Sequence, residues 1–440
     1  MSNLKNSPSS LLLFSVFFVL SSQANAQKDV TYYIQQAQLH QPVVRDFQNQ
    51  NKINALETAR LRAAFLKPQV SFNANYLFAP IISLDNNRVR PDLNAQSAEN
   101  YLGLDLAATN GGSYQALFTV TQPLWMTERF KPIAEQFRIN NLQNDNTIAL
   151  ANHDVERNVT DQYIACLFDL KQIVYVQNVL KIIDEQAVIV TKLAQAALAK
   201  QSDLTLLTIE KQRQLLNLTT FQSNYRRDLL DLNVLCGIND TTIQTLDPLS
   251  IKAVSDLISA KKDTISFKFI EKYRLDSLAA LSAQQVFEMK YQPQIQAFAN
   301  GGLSGTYIPD LYKRFGWSAG VNFSIYLFDG NQKALNRDKI ALQIQTAAAY
   351  RESFMTQNGV RKARILNELQ ALQDRQTATE KQIVAYQNLL DAYRKELVQG
   401  QISVLNLVTV LKDFTALQQD FITIQTQQQL LTNAYNYWNW

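Results

Sequence analysis

The feature of this sequence that most constrains its fold is a very long stretch without helix breakers. Residues 133–236 contain neither glycine nor proline and are rich in alanine, leucine, glutamine, lysine and glutamate, which favour helix. From residue 331 onward the only breakers are Gly359 and Gly400. A helix over residues 133–200 would be roughly 100 Å long, at about 1.5 Å per residue. Because a compact domain does not accommodate such a helix, we expect an elongated molecule.

Both breaker-poor stretches carry apolar residues at the alternating spacing of three and four that is typical of coiled coils. The first seam is Ile173, Val176, Leu180, Ile183, Ala187, Val190, Ala194 and Ala197. The second is Leu369, Leu372, Ile383, Tyr386, Leu390, Tyr393 and Leu397, and a third follows with Val404, Leu407, Leu411, Phe414 and Phe421. These seams predict two helical hairpins, which turn near residues 200 and 400.

The N-terminus predicts export. Lys5 precedes an apolar run at residues 11–20 (LLLFSVFFVL), and Ala24-Asn25-Ala26 follows as a small-x-small cleavage site. This pattern is typical of a secretory signal peptide over residues 1–26, with a mature chain that starts at Gln27. No later segment has eighteen continuous apolar residues, so a membrane-bound mature chain would have to cross the membrane as β-strands.

Four segments alternate between apolar and polar residues in the way that strands with one polar and one apolar face require. They lie at about 69–79, 114–125, 294–303 and 316–328. Leu117 and Phe298 break the pattern on the polar side. Such strands suit a lipid-embedded barrel. A half-buried sheet in a soluble domain is the alternative for any single strand.

The strands, the junctions around them and the helical turns occur twice along the chain. The sequence therefore predicts an internal repeat, in which the turn near Lys200 corresponds to the turn near Gly400. The first repeat spans 27–237 and the second spans 264–440. An inter-repeat equatorial linker, 238–263, joins them.

Four strands per chain are too few to close a barrel, and open edges in lipid would leave backbone groups unpaired. Symmetric assembly of sister chains is the simplest remedy. Two chains would give eight strands and three would give twelve. Of the two, twelve strands leave an open lumen, whereas eight are usually filled by side chains.

This layout resembles the TolC family of outer-membrane efflux proteins. The resemblance lies in the helix-to-strand junctions Pro68-Gln69-Val70 and Pro293-Gln294-Ile295, the strand-to-helix junctions Gln122-Pro123-Leu124-Trp125 and Tyr326-Leu327-Phe328-Asp329-Gly330, and the turn Gly400-Gln401-Ile402-Ser403-Val404-Leu405. It implies a mixed α/β membrane protein: a homotrimer whose twelve-stranded β-barrel in the outer membrane continues as a long α-helical coiled-coil barrel through the periplasm. It also implies a passive exit duct, which docks a periplasmic membrane-fusion adaptor protein and an inner-membrane pump of the RND or ABC type.

The resemblance assigns the helical turns to the periplasmic tip, where the gate and the adaptor-docking surface are expected. The residues assigned to this tip are Lys200, Gln201, Asp203, Leu206, Gln399, Gly400, Gln401, Ser403, Asn406 and Thr409. Leu206 and Asn406 stand where an acidic residue is expected after each turn, so the gate is expected to close through neutral hydrogen bonds and apolar contacts. Trp125 and Trp317, at predicted strand ends, are expected to lie in the aromatic belt of the membrane interface.

Other classes of function find little support. The net charge is +4 without a basic run, which argues against nucleic-acid binding. Two cysteines and two histidines argue against a metal centre or a disulfide scaffold. No catalytic set and no phosphate-binding loop stand out, so neither an enzyme nor a cofactor is expected. Pairs such as Asp228 and Asp231, on a predicted helix, are expected on a solvated face.

The leading hypothesis is therefore an outer-membrane channel component of a tripartite efflux or type I secretion system, which extends into the periplasm. The alternative is a secreted periplasmic coiled-coil scaffold without a pore.

Overall fold

The computed structural model describes residues 28–93, 101–102, 112–249, 267–306 and 308–440. The predicted signal peptide, 1–26, and the second half of the predicted linker, 250–263, lie outside these residues. The fold is mixed α/β with mostly helical content, as the sequence predicts. None of the described helices combines the length and the apolar character that a membrane-spanning helix needs.

Seven α-helices and seven strands build the described part of the chain. The helices are α1 (Val30–His40), α2 (Pro42–Leu66), α3 (Thr127–Gln195), α4 (Gln201–Cys236), α5 (Phe267–Glu288), α6 (Gln332–Val398) and α7 (Val404–Trp438). The strands are β1 (Gln69–Phe78), β2 (Ile81–Ser83), β3 (Arg90–Asp92), β4 (Tyr101–Leu102), β5 (Gly112–Leu124), β6 (Gln294–Gly305) and β7 (Phe315–Ser324).

Two very long helices set the length of the molecule. Helix α3 has 69 residues and α6 has 67, so each is about 100 Å long. Helix α4 folds back along α3, and α7 folds back along α6. The breaker-poor composition therefore produces the elongated shape that it predicts.

The heptad seams form the core between the two hairpins. Val176, Ile183 and Val190 of α3 are fully buried, and Leu369 of α6 and Leu411 of α7 are at most 2% exposed. The residues of all three predicted seams are buried or half-buried, apart from Ala197, which is exposed at the end of the first seam. The burial of these residues therefore confirms the coiled-coil packing that the spacing in the sequence predicts.

A second core lies at the other end of the α3–α4 hairpin. Tyr33 of α1 packs against Tyr163 and Cys166 of α3 and Leu232 of α4. The Tyr163 hydroxyl donates a hydrogen bond of 2.7 Å to the carbonyl oxygen of Asp247. This core fastens α1 and the first part of the linker to the hairpin.

Aromatic residues fasten the end of α7 to the middle of α3 and α6. The His153 ring lies between the rings of Tyr437 and Trp440, with centroid distances of 4.8 and 4.0 Å. Its Nε2 atom is 3.0 Å from the Tyr437 carbonyl oxygen. The Arg361 guanidinium lies 3.9 Å from the centre of the Trp438 ring.

The four long strands form one antiparallel sheet in the order β1-β5-β6-β7, and β3-β2-β4 form a small second sheet. Strand β7 ends at Ser324, four residues before the predicted end at 328. Ser324 pairs with Gln294, the first residue of β6. The preceding residue, Pro293, has no N–H group to continue the ladder, which accounts for the earlier end.

Candidate functional site

The register of the long sheet separates its side chains into two faces. Directly paired residues of neighbouring strands point to the same side. Asn73 pairs with Leu117, Leu117 with Gly302, and Gly302 with Gly316, which defines one continuous row across all four strands. The alternation seen in each strand therefore becomes a property of the whole sheet.

The face that contains Asn73, hereafter the polar face, consists mainly of hydroxyl and amide side chains. Its polar members are Gln69, Ser71, Asn73, Asn75, Ser113, Gln115, Thr119, Thr121, Gln294, Gln296, Asn300, Ser304, Ser318, Asn322 and Ser324. None of the residues of β1, β5, β6 and β7 is charged. The polar face therefore offers hydrogen bonds to water without a fixed charge.

The opposite, apolar face is rich in aromatic and aliphatic side chains. Phe72 and Phe118 lie across β1 and β5 with ring centres 4.8 Å apart, and Tyr76 and Tyr114 stack at 4.9 Å. Phe72, Phe118, Trp317, Val321 and Phe323 are all more than half exposed in the single chain. Such a band of exposed apolar surface needs a partner surface or lipid to cover it.

The sheet has two open edges. Within the described residues, β1 pairs only with β5 and β7 pairs only with β6. Strand order and direction mean that β1 and β7 run antiparallel to each other. Edge β7 of one copy and edge β1 of a second copy would therefore have the directions that an antiparallel pair requires.

The predicted interface tryptophans lie at separated levels of the sheet. Trp125 follows the last residue of β5 and is 78% exposed, and Trp317 is the third residue of β7 and is 83% exposed. By the register, Trp317 is level with Gly301 and Trp125 follows the level of Ile295, so roughly 20 Å separates the two. Their place in an aromatic belt stays a prediction.

The two helical turns have the same backbone geometry. At the first turn, Leu198 N–H donates to the Leu193 carbonyl at 2.8 Å and Ala197 N–H to the Ala194 carbonyl at 3.0 Å. At the second turn, Gln401 N–H donates to Glu396 at 2.9 Å and Gly400 N–H to Leu397 at 3.0 Å. Both patterns are Schellman motifs, and the residue in the left-handed region is Ala197 (φ +62°) in one and Gly400 (φ +73°) in the other.

In each of the helices that follow these turns, one hydrogen bond joins the cap residue to the residue three positions later, although the direction of donation differs. Asp203 Oδ2 accepts a 3.0 Å hydrogen bond from the Lys200 N–H, and Ser403 Oγ accepts one of 3.3 Å from the Asn406 N–H. Lys200 and Ser403 are thus the equivalent cap residues.

These caps correct the correspondence taken from the sequence. Gly400 is equivalent to Ala197 and not to Lys200, so the sequence comparison is three residues out of register. Asp203 then stands at the position of Asn406, and Leu206 at that of Thr409. An acidic residue therefore does follow the first turn, where its carboxylate caps α4.

The predicted tip residues differ in exposure. Lys200, Gln201, Gln399, Gly400, Gln401, Ser403, Asn406 and Thr409 are exposed, whereas Asp203 and Leu206 are half-buried. The Thr409 hydroxyl donates to the Leu405 carbonyl of its own helix at 2.9 Å. Their role in a gate or in docking stays a prediction.

Sequence reasoning missed a buried acidic residue between the hairpins. Glu210 of α4 is 2% exposed, and its carboxylate lies 2.5 Å from the Arg213 guanidinium and 3.8 Å from the Lys412 ammonium of α7. The Gln214 amide donates a further hydrogen bond of 2.8 Å. The only sequence signal was a charged residue on a helix, which normally indicates a solvated face.

A second buried acidic residue lies between α3 and α4. Asp169 is 3% exposed, and its Oδ2 atom has no hydrogen-bond donor within the described part of the chain. Burial and the adjacent Asp228 carboxyl group raise the pKa of Asp169 to about 7. Asp228 is bound by Arg227 at 2.9 Å and its side chain is only 16% exposed, so the expectation of a solvated face is wrong for Asp228.

The described residues contain no group of three or more histidine, cysteine, aspartate or glutamate side chains that could hold a metal ion. Cys166 and Cys236 are both free and buried. Burial raises the pKa of the Cys236 thiol to about 12, which makes it a poor nucleophile at neutral pH.

No family model matches the sequence, and no curated protein is significantly similar to it. The fold, by contrast, has clear structural neighbours. CusC, whose structures describe folding and transmembrane channel formation, has a TM-score of 0.68 at 14% identity and covers 94% of this chain and 92% of its own.

Two further neighbours are outer-membrane proteins of known source. VceC from Vibrio cholerae has a TM-score of 0.66 at 13% identity, with 93% of this chain and 95% of its own covered. The open-state channel MtrE from Neisseria gonorrhoeae has a TM-score of 0.65 at 14% identity, with 93% and 88% covered.

The chain therefore has the fold of an outer-membrane channel. These neighbours are channels of the TolC family, and the resemblance to that family is confirmed at the level of the fold.

Proposed function

We propose that this chain is the subunit of an outer-membrane channel, a passive exit duct of a tripartite efflux or type I secretion system. The observation that carries the proposal is the two-faced, uncharged sheet with open edges, mounted on helical hairpins about 100 Å long. The outer-membrane channels that share this fold support it.

Three copies complete the duct. Because β1 and β7 run antiparallel, β7 of one copy and β1 of the next extend the same antiparallel pattern around a twelve-stranded barrel. The apolar faces then meet lipid, and the polar faces line a lumen filled with water. The similar order of the described helices and strands in the two halves of the chain supports a quasi-symmetric pair of repeats, 27–237 and 264–440.

The helical hairpins continue the duct into the periplasm. Their weakly charged surfaces would line a passage that hydrates its cargo without binding it strongly. The turns around Gly400 and Ala197 form the tip, which narrows the duct at rest to a small residual conductance. The duct opens fully when the tip docks a periplasmic adaptor protein with an inner-membrane pump of the RND or ABC type. Exposed Gln399, Gln401 and Asn406 narrow it by neutral hydrogen bonds together with apolar contacts.

Fractionation and electrical recording test this function. The full-length chain, produced in a Gram-negative host, is expected to resist carbonate and high salt, to need detergent for extraction, and to have the mass of three subunits in light scattering. In a planar bilayer the purified protein should conduct ions. A monomer that stays soluble without detergent and never conducts would instead support the coiled-coil scaffold.

A further inference from the structure

Phe298 is the one aromatic side chain on the polar face of the four long strands. It lies on β6 between Gln296 and Asn300, which are on the same face. The register pairs it with Thr121 on one side and Gly320 on the other. A large apolar ring thus lies among amide and hydroxyl groups, where the alternation calls for a polar residue.

Gly320 provides the space in which the ring lies. A Cβ atom built on Gly320 would be 2.7 Å from Cζ and 2.9 Å from Cε1 of Phe298. The ring therefore lies against the backbone of β7, and any larger residue at position 320 would displace it. Phe298 is half-buried, so part of the ring remains accessible from the polar face.

The surroundings of the ring decide which chemistry it can recognise. The four strands contain no carboxylate that would attract a cation and no lysine or arginine that would repel one. The face of an aromatic ring attracts cations through its quadrupole and apolar groups through dispersion and desolvation. Among the side chains of the polar face, this ring is best suited to a cargo that is both cationic and aromatic.

We propose that Phe298 is a contact site for lipophilic organic cations on their way through the duct. The proposal rests on the proposed function, because three subunits place three such rings at one level of the lumen. Each ring provides a weak contact that slows the cargo without trapping it. Gly320 is the positioning residue that keeps the ring against the wall.

Block of the ionic current in planar bilayers tests the contact. Tetraphenylphosphonium is the aromatic probe, and tetrabutylammonium is an aliphatic cation of equal charge. The wild-type channel should be blocked at lower concentration by tetraphenylphosphonium than by tetrabutylammonium. Phe298→Leu should raise the blocking concentration of tetraphenylphosphonium about five-fold, equivalent to about 1 kcal/mol, and should leave that of tetrabutylammonium nearly unchanged.

Three further variants separate recognition from structure. Phe298→Tyr keeps the ring and should be blocked by both cations at the same concentrations as the wild type. Phe298→Ala should behave like Phe298→Leu; if it does not assemble, the leucine variant, which still covers Gly320, decides the question. Phe323→Leu, on the apolar face, should leave block by both cations unchanged.

Equal block of the wild type and Phe298→Leu by tetraphenylphosphonium would overturn the aromatic contact. A loss of block in Phe323→Leu as large as that in Phe298→Leu would overturn it as well. A wild-type protein without any conductance would instead contradict the proposed channel. The two failures are therefore distinguishable in one set of recordings.

Discussion

At the scale of single residues, the pair of carboxyl groups formed by Asp169 and Asp228 is the feature with the clearest consequence for stability. Asp169 is buried between α3 and α4, and its raised pKa of about 7 means that it is mostly protonated below neutral pH. When protonated, Asp169 Oδ2 can donate a hydrogen bond to the Asp228 carboxylate, which gives a partner to an oxygen that otherwise has none among the described residues. Arg227 offsets part of the charge on Asp228 from the solvent side.

The free energy of unfolding should therefore depend on pH in a defined direction. An aspartate in the unfolded chain loses its proton near pH 4, whereas Asp169 in the folded chain keeps it up to about pH 7. The folded state binds more protons in this window, so stability should fall as the pH rises from about 4 to about 7 and stay level above it.

Asp169→Asn tests this dependence. The amide cannot ionise and still donates to Asp228, so the variant should be more stable than the wild type at pH 8 by on the order of 2 kcal/mol. At pH 4.5 the two proteins should be nearly equal. Urea unfolding of the detergent-solubilised protein, followed by helical circular dichroism at both pH values, measures the difference. The exposed neighbour Asp231→Asn is the control and should keep the wild-type slope; an unchanged slope in Asp169→Asn would contradict the assignment.

The sequence alone predicts the environment of such residues only in part. The alternation in β6 identifies Phe298 as an exception, but only the strand register reveals that Gly320 lies opposite. Asp169 and Glu210 look like ordinary charged residues of a solvated helix until the partner helices are in place. Tertiary packing decides the environment of a helix face, and helical spacing alone does not specify which neighbour covers it.

At the scale of elements, the two tip turns make a natural comparison. They have the same hydrogen-bond pattern, yet the left-handed position is alanine in one and glycine in the other. A residue with a Cβ atom pays a conformational penalty there that glycine avoids. The first turn should therefore be intrinsically less stable than the second.

Two separate substitutions test this difference in stability between the turns. Ala197→Gly should stabilise the first turn by about 1 kcal/mol, and Gly400→Ala should destabilise the second by a similar amount. Hydrogen exchange of the Leu198 and Gln401 amides, which close the two motifs, should slow about five-fold in the first variant and accelerate about five-fold in the second. The amide of Gly237, in the Schellman motif at the end of α4, serves as an internal control. Exchange rates that do not change at the mutated turn would refute the comparison.

Elements were the most predictable part of the fold. The heptad spacing predicted which residues of α3, α6 and α7 are buried, because coiled-coil packing follows directly from the period of the apolar residues. The correspondence between the two turns is harder to predict from the sequence. Capping depends on backbone geometry, and Lys200, whose N–H binds Asp203, is not a typical cap residue.

At the scale of the whole molecule, the single chain is incomplete in two related ways. The edges β1 and β7 each have one neighbour among the described residues, and the apolar face of the sheet is exposed. The proposed assembly into a closed barrel in lipid would address both at once, since the edges would pair with sister copies and the apolar face would meet hydrocarbon. Neither requirement is visible in one residue or one element.

Disulfide crosslinking between copies tests this closure directly. On a background with Cys166 and Cys236 replaced by alanine, Asn73→Cys on β1 is combined in turn with cysteine at Ser318, Asn322 or Ser324 on β7. All four positions are on the polar face, where paired side chains of adjacent strands come within about 5 Å. At least one combination should give oxidation-dependent dimers and trimers on a denaturing gel.

The matched control combines Asn73→Cys with Asn300→Cys on β6. Position 300 is on the same face, but β5 separates it from β1 of its own chain, and β7 separates it from β1 of the next. Conducting protein in which no β7 position crosslinks, or in which Asn300 crosslinks as well as β7 does, would rule out pairing between these two edges.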